Sequence, residues 1–252
     1  MDQPGTLLRK RYRLFRKRQM QRKSDSQVIS AYEQIRDRII MYALPPKTQL
    51  SDYKLAKELS MSRAPVREAI LLLERDGLVT LDENGKKIIS PISLEDVVDI
   101  LHVRAALESE ALLLLADRGW LKPQEEKKLK AIHAKMLQAA KKGQVRDCYR
   151  YDDEFHHCFL SYADSPRISE TLERMRLQMQ RARWLNAANP ERQSQACAEH
   201  EVLLNAILKK NTDASVRALR THFSNSEQAF RHALQNREMV SIASMIRGFY
   251  ER

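Results

Sequence analysis

The sequence predicts a mainly α protein: three helices closed by a short β-hairpin, followed by an all-α bundle. Three observations carry this reading. Only 6 of the 252 residues are glycine, and long stretches of Leu, Ala, Glu, Lys and Arg favour helix. Apolar residues recur at helical spacing along most of the chain. The one strong hairpin signal, Asn84-Gly85, separates two β-rich runs in "LVTLDENGKKIIS".

The first helix comes from "QVISAYEQIRDRIIMY", where Val28, Ile29, Tyr32, Ile35 and Ile39 share one face. Pro45 and Pro46 break it. Ser51 is the expected cap of a short second helix, "DYKLAKELS", and the "MS" turn leads to a third, "RAPVREAILLLERDGL". Ser62 is its expected N-cap, Pro65 fits the first turn, and Gly77 ends it. Three helices with a tight turn between the last two, plus a hairpin, make a winged helix-turn-helix over residues 25–92. Arg63 and Arg67 lie one turn apart near the N-terminal end of the third helix, the end that meets base edges in a major groove. Ser62 and that N-terminus suit a phosphate. Gly85, Lys86 and Lys87 form a compact wing tip for double-stranded DNA. The bland alternative is that the two arginines are a solvated face.

The segment "LSDYKLAKELSMSRAPVREAILLLERDGLV" resembles the GntR family of bacterial transcription regulators. The resemblance implies that Arg63, Arg67 and the wing at Gly85 contact operator DNA. It departs at Met61, where a glycine is usual, and in lacking the family's glutamate around Tyr53, so that contact is not carried over.

The net charge of +11 is uneven, since residues 1–24 hold nine Lys/Arg against one Asp. That segment reads as a basic arm for nucleic acid, as a solvated leader, or as sequence upstream of a start at Met20. Three cysteines without framework spacing suggest a reduced, cytoplasmic protein. No run is long and apolar enough for a membrane span.

The second half begins with Ser93 capping "LEDVVDILHVRAALESEALLLLADRG". Amphipathic segments follow at 123–142, 144–163, 165–187, 191–210 and 212–235, completing a domain over 93–237, with a tail helix in 238–252. No phosphate loop, nucleophile elbow or H-E-x-x-H motif occurs.

The stretch "YDDEFHH" holds two acid–histidine pairs at i, i+4. Helix-face counting places Asp152 and His156 with Cys148, Tyr149, Phe155 and Phe159, toward the core. It places Asp153 and His157 with Arg146, Arg150 and Asp164, toward water. His200 and His222 also fall on apolar faces. Converging, Asp152, His156, His200 and His222 would suit zinc, or else nickel or manganese. Taken singly each is equally a hydrogen-bonded core histidine, and Asp152–His156 an ion pair. His102, His133, His157 and His232 read as ordinary surface or core residues.

"D-x-x-F-H" at Asp152–His156, "EH-x-x-L-x-x-AI" at Glu199–Ile207 and "VRAALESEA" at Val103–Ala111 resemble the FCD ligand-binding domain of FadR-type GntR regulators. That implies a metal on those four residues and a small organic-acid or sugar-acid effector. Arg104 shares a face with Val97, Ile100, Leu107 and Ala111, so it either grips a carboxylate or pairs with Glu108. Arg183 is a second effector candidate, and Trp184 a lining residue. Together these readings describe a homodimeric bacterial repressor, cytoplasmic and not an enzyme, that reads a palindrome under control of a metal-held acid. The rivals are a sensor of the metal alone and a metal-dependent hydrolytic enzyme.

Overall fold

The computed structural model describes residues 23–183 and 190–235. The basic arm, except its last two residues, Trp184 and the expected tail helix lie outside the described residues. Within them the order is α1 (Lys23–Ile40), α2 (Asp52–Glu58), α3 (Arg63–Arg75), β1 (Val79–Leu81), β2 (Lys87–Ile89), α4 (Leu94–Asp117), α5 (Pro123–Lys141), α6 (Val145–Leu160), α7 (Pro166–Ala182), α8 (Pro190–Leu208) and α9 (Thr212–Gln235).

The N-terminal unit packs α1 against α3, with α2 also on α3. Val28, Tyr32, Ile35 and Ile39 are buried at the spacing the sequence shows. Tyr32, Ile35 and Ile39 meet Val66, Ile70 and Leu73 of α3, Leu78 just before β1, and Ile89 of β2 in one core. Ser51 caps α2 by accepting from the Lys54 amide. Ser62 takes the N-cap position of α3, yet its side chain makes no capping bond. The strands pair antiparallel, Val79 opposite Ile89 and Leu81 opposite Lys87. The Asp82 carboxylate closes the tip by accepting from the Asn84 and Lys86 amides. A second core joins α4 to α9 around Leu101, Leu112, Leu129, Phe155, Phe159, Leu203, Leu219 and Phe223. Ser93 and Asp96 form a capping box at the start of α4. Cys148, Cys158 and Cys197 are buried. Among the described residues no helix is long and apolar enough to cross a membrane.

Helix α7 joins the two units. Gln178 donates through Nε2 to the Asp76 carbonyl (3.1 Å) at the C-terminal end of α3. Arg181 donates through Nη1 to the Ser90 carbonyl (2.9 Å), just past β2. The Tyr42 hydroxyl, beyond α1, donates to the Arg181 carbonyl (3.3 Å). Asp76 is itself fixed, because the Tyr32 hydroxyl donates to its carboxylate (2.5 Å).

Gly77 permits the first contact. Its φ is +77°, and a Cβ there would stand 2.3 Å from Gln178 Nε2. Gly85, at φ +71°, has open space around it. Gly85→Ala should therefore cost only the left-handed strain, about 1–2 kcal/mol. Gly77→Ala should cost that and the displaced Gln178 contact. Urea unfolding of both variants checks this; equal losses would show that the close approach contributes nothing to stability.

Candidate DNA-reading and metal-binding sites

On α3, Arg63, Arg67 and Leu71 follow one another at i, i+4 and form an exposed stripe, with Leu71 51 % exposed. The opposite face, Val66, Ala69, Ile70 and Leu73, is buried, so the stripe is turned outward by packing. Both arginines bind one carboxylate. Arg63 Nη2 lies 3.1 Å from each oxygen of Asp52, and Arg67 donates to Asp52 Oδ2 through Nε (3.3 Å) and Nη2 (3.1 Å). What desolvation Asp52 undergoes raises its pKa, but the two guanidiniums outweigh it and hold the carboxyl below its usual range. Asp52 thus sets the two arginines side by side at the exposed end of the helix. Leu71 is suited to thymine methyl groups. Asp52 was not visible as their partner in the sequence pattern, which marks charge and spacing but not which acid lies across the turn.

The wing departs from the expected basic tip. Lys87 turns back and pairs with Glu74 of α3. Asp82 and Glu83 share the loop with Gly85 and Lys86. The tip therefore offers Lys86 as its cation, and Gly85 supplies the left-handed turn that presents it.

In the second unit α6, α8 and α9 bring together Asp152, His156, His200 and His222, with one ligand atom from each lying within 4.8 Å of all the others. The imidazoles are buried. Each has its Nδ1 against an oxygen that can only accept. His156 Nδ1 is 2.6 Å from Glu108 Oε2. His200 Nδ1 is 2.7 Å from the Ala196 carbonyl. His222 Nδ1 is 2.8 Å from Glu199 Oε2. Burial would raise the Glu108 pKa, but His156 and Arg104 override it and hold the carboxyl at about 2. Burial likewise opposes ionisation of Glu199, and His222 and Arg192 override it. Both acids are therefore ionised acceptors, and the Nδ1 protons of the imidazoles are fixed.

That leaves three Nε2 atoms facing inward. His200 Nε2 lies 3.1 Å from His156 Nε2 and 3.2 Å from Asp152 Oδ1. Burial pushes the His222 pKa down to about 3, with the His200 charge adding to the effect, and burial also lowers that of His200. Burial thus favours the neutral ring at His200 and His222, and rings so oriented turn Nε2 toward one another and toward a carboxylate oxygen. This donor set, three imidazole nitrogens and one oxygen, fits a borderline divalent cation. Donors about 2.1 Å from a tetrahedral ion stand about 3.4 Å from one another, so the 3.1 and 3.2 Å separations are already close to that spacing and a separation near the 4.8 Å limit would have to close by about 1.4 Å.

Residues 28–85 match the bacterial regulatory proteins of the gntR family, and residues 99–225 match the FCD domain. The chain belongs to the GntR family. It is similar to the uncharacterized regulator YdhC of Bacillus subtilis, at 27 % identity over 81 % of this chain and 91 % of that protein. It is also similar to the transcriptional repressor RspR of Escherichia coli K12, at 24 % identity over 81 % and 89 %. Among solved structures it shares the fold of E. coli McbR/YncC, with a TM-score of 0.69, 22 % identity and coverage of 82 % and 97 %. A GntR protein of Rhodococcus sp. RHA1 gives a TM-score of 0.68, 19 % identity and coverage of 82 % and 99 %. These relatives are transcriptional regulators, not enzymes.

Within this GntR regulator a cavity of about 70 Å³ adjoins the four-residue cluster, lined among others by Arg104, Tyr149, Asp152, Arg183, Gln193 and His222. By the volume a single water occupies, it holds roughly five to seven waters, or a compact organic acid. Arg104 does pair with Glu108, whose Oε1 lies 2.9 Å from its Nε and Nη2. Its guanidinium also stacks on Phe223, 4.9 Å from the ring centroid. Among the described residues Nη1 has no partner. Arg183 is buried and committed: Nη2 donates to Asp152 Oδ2 (2.6 Å), and Nη1 to Asp153 Oδ1 (2.6 Å) and the Tyr149 carbonyl (3.2 Å). Its guanidinium holds the Asp152 carboxylate in place rather than waiting for a ligand. Burial alone would raise the Asp152 pKa; Arg183 instead keeps it well below the usual range.

Asp153 corrects the face count. It is not turned to water, because α7 lies across it: Arg183 and Arg176 pair with it, and Gln180 donates to it. His157 is exposed, as expected. His133 is a core histidine bonded to the Cys197 carbonyl (3.1 Å), and His102 pairs at the surface with Glu227 (3.0 Å). Neither the support of His222 by Glu199 nor the grip of Arg192 on Glu199 was marked by any sequence pattern.

Asp52→Asn should tighten binding to random-sequence DNA severalfold, because a negative charge beside the phosphates is removed. It should also narrow the gap between an operator selected from a random library and non-operator DNA, since the arginines lose their tether. Fluorescence anisotropy at fixed salt measures both. An unchanged ratio would mean that Asp52 plays no part in orienting the reading side chains.

Proposed function

We propose that this regulator is a homodimeric repressor that reads a palindromic operator through Arg63 and Arg67, with Ser62 and the wing at Gly85 and Lys86 on the backbone. Its hold on DNA is set by a small carboxylate bound beside a divalent ion. The observation that carries this reading is the convergence of three Nε2 lone pairs and Asp152 Oδ1 with all three Nδ1 protons fixed elsewhere. Asp152, His156, His200 and His222 would hold the ion, with zinc the best match and nickel or manganese next. Bound there, it supplies positive charge and an open position for a ligand oxygen.

Charge counting favours an anionic effector. Arg104, Arg183 and Arg192 face Asp152, Asp153, Glu108 and Glu199, while Arg176 and Glu173 cancel each other. With neutral imidazoles the cluster is one negative charge in excess. A divalent cation inverts this to one positive charge, which a single carboxylate neutralises. The open Nη1 of Arg104 is the protein's own contact for it. The repressor assignment draws support from RspR, which is described as a repressor. Dimerisation follows from the two-fold symmetry of a palindrome.

The purified protein should contain about one divalent ion per chain by elemental mass spectrometry. His200→Ala should lose it, whereas His157→Ala should keep it; equal loss would overturn the ligand assignment. With metal loaded, at least one member of a small-carboxylate panel should change operator affinity by roughly 5- to 150-fold. If affinity instead follows free metal and no acid matters, the protein senses the ion itself.

The route from the cavity to the DNA head runs along α7. Arg183 touches the ligand set, and five residues earlier Gln178 holds the end of α3. Gln178→Ala should leave effector affinity in calorimetry nearly unchanged while drawing the effector's effect on operator affinity toward unity. Full retention of the response would place the coupling elsewhere.

A further inference from the structure

One polar side chain in the cavity is unused by the function proposed above. Gln193, in the first turn of α8, is 7 % exposed and lines the cavity. Its Nε2 is buried with no hydrogen-bond partner among the described residues. A buried amide without a partner loses its hydration and receives nothing in return. Its neighbours along the cavity are engaged. Arg192 donates to both oxygens of Glu199 and to Ser226 Oγ (2.9 Å), and the Tyr149 hydroxyl donates to the Arg183 carbonyl (2.8 Å).

The charged end of an acid has its contact in Arg104. Gln193 carries no charge, so it leaves the electrostatic balance untouched and cannot serve as a second anion anchor. What an amide reads is a neutral polar group, and Nε2 as donor asks for an oxygen acceptor. We propose that Gln193 is a specificity-determining residue, and that the effector is a small hydroxy- or oxo-carboxylic acid whose neutral oxygen accepts from Nε2. A cavity of this size suits a small acid. A plain alkanoate would leave the amide unpaired, and a dicarboxylate would bring one negative charge more than the metal-loaded cluster can match. This inference rests on the carboxylate reading given above.

The test uses zinc-loaded full-length protein, wild type, Gln193→Leu and Gln193→Glu, titrated by calorimetry with butanoate and with 2-, 3- and 4-hydroxybutanoate. The three isomers move one hydroxyl along one chain and so scan its distance from the carboxylate. In the wild type at least one isomer should bind roughly tenfold tighter than butanoate, the size of a hydrogen-bond preference of this kind. Gln193→Leu should bring that ratio to about one while keeping its zinc and its affinity for butanoate. Gln193→Glu should weaken every acid, since it places a negative charge in the cavity. A ratio that survives in Gln193→Leu overturns the proposal, as does a wild type that binds butanoate and all three isomers alike. If Gln193 only packs, Gln193→Leu raises the melting temperature and leaves the ratio unchanged, which also overturns it. Failure of the wild type to bind any of the four acids overturns the carboxylate reading and this inference with it.

Discussion

Three imidazoles inside one helical bundle have their Nδ1 protons claimed by a carboxylate, a backbone carbonyl and a second carboxylate. That arrangement fixes the tautomer of each ring and forces the remaining nitrogens to face one another. Much of the bundle follows from it. Glu108 on α4 is buried and Glu199 on α8 partly buried, where they serve as these acceptors. Each then needs its own cation, supplied by Arg104 and Arg192. Asp152 and Asp153 are held in the same way by Arg183. Removing one member of such a buried set strands a charge, at about 3–5 kcal/mol, so the network is retained as a unit.

This dependence explains why α7 is more than a wall of the bundle. Its last turn carries Arg181 and its C-cap is Arg183, two residues apart and turned to different tasks. Arg183 reaches inward to the acids of α6, and Arg181 reaches the DNA-binding unit at Ser90. A helix is stiff over so short a span, with Gln178 and Arg183 separated by about 7–8 Å of rise. Whatever moves the Asp152 carboxylate therefore bears on a segment already bonded to the head.

Most of the helices and the hairpin were legible in the sequence, because each depends on local periodicity, caps and turns, whereas the convergence of Asp152, His156, His200 and His222 was implied only by the resemblance to FCD domains. Face counting alone separated Asp152 and His156 from His157. It failed for Asp153, because a helix face away from the core is wet only if no other helix covers it. Here α7 brings Arg176 and Arg183 onto that face. The supporting acids were illegible for the same reason: Glu108 meets His156 across 48 residues, and Glu199 meets His222 across 23. Lys87 looked like a wing cation until the hairpin folded it back onto Glu74. Spacing can name the groups that need partners, but only the packing of distant helices decides which partners they meet.

The placement of the two anchors matters to what such coupling could achieve. Gln178 and Arg181 both bind backbone carbonyls, at Asp76 and Ser90, so they fix the far end of α3 and the base of the wing rather than the reading surface. Arg63 stands at the opposite end of a 13-residue helix, a lever of about 18 Å. Pivoting α3 by about 5° at Asp76 would carry the Arg63 backbone by roughly 1.5 Å, more than the width of the hydrogen-bonding window of about 2.7–3.2 Å. Under the proposed function, a small adjustment at the histidines would thus be enlarged at the Arg63 end of α3. In a symmetric dimer both half-sites would feel it, which makes a modest movement sufficient for a large change in hold.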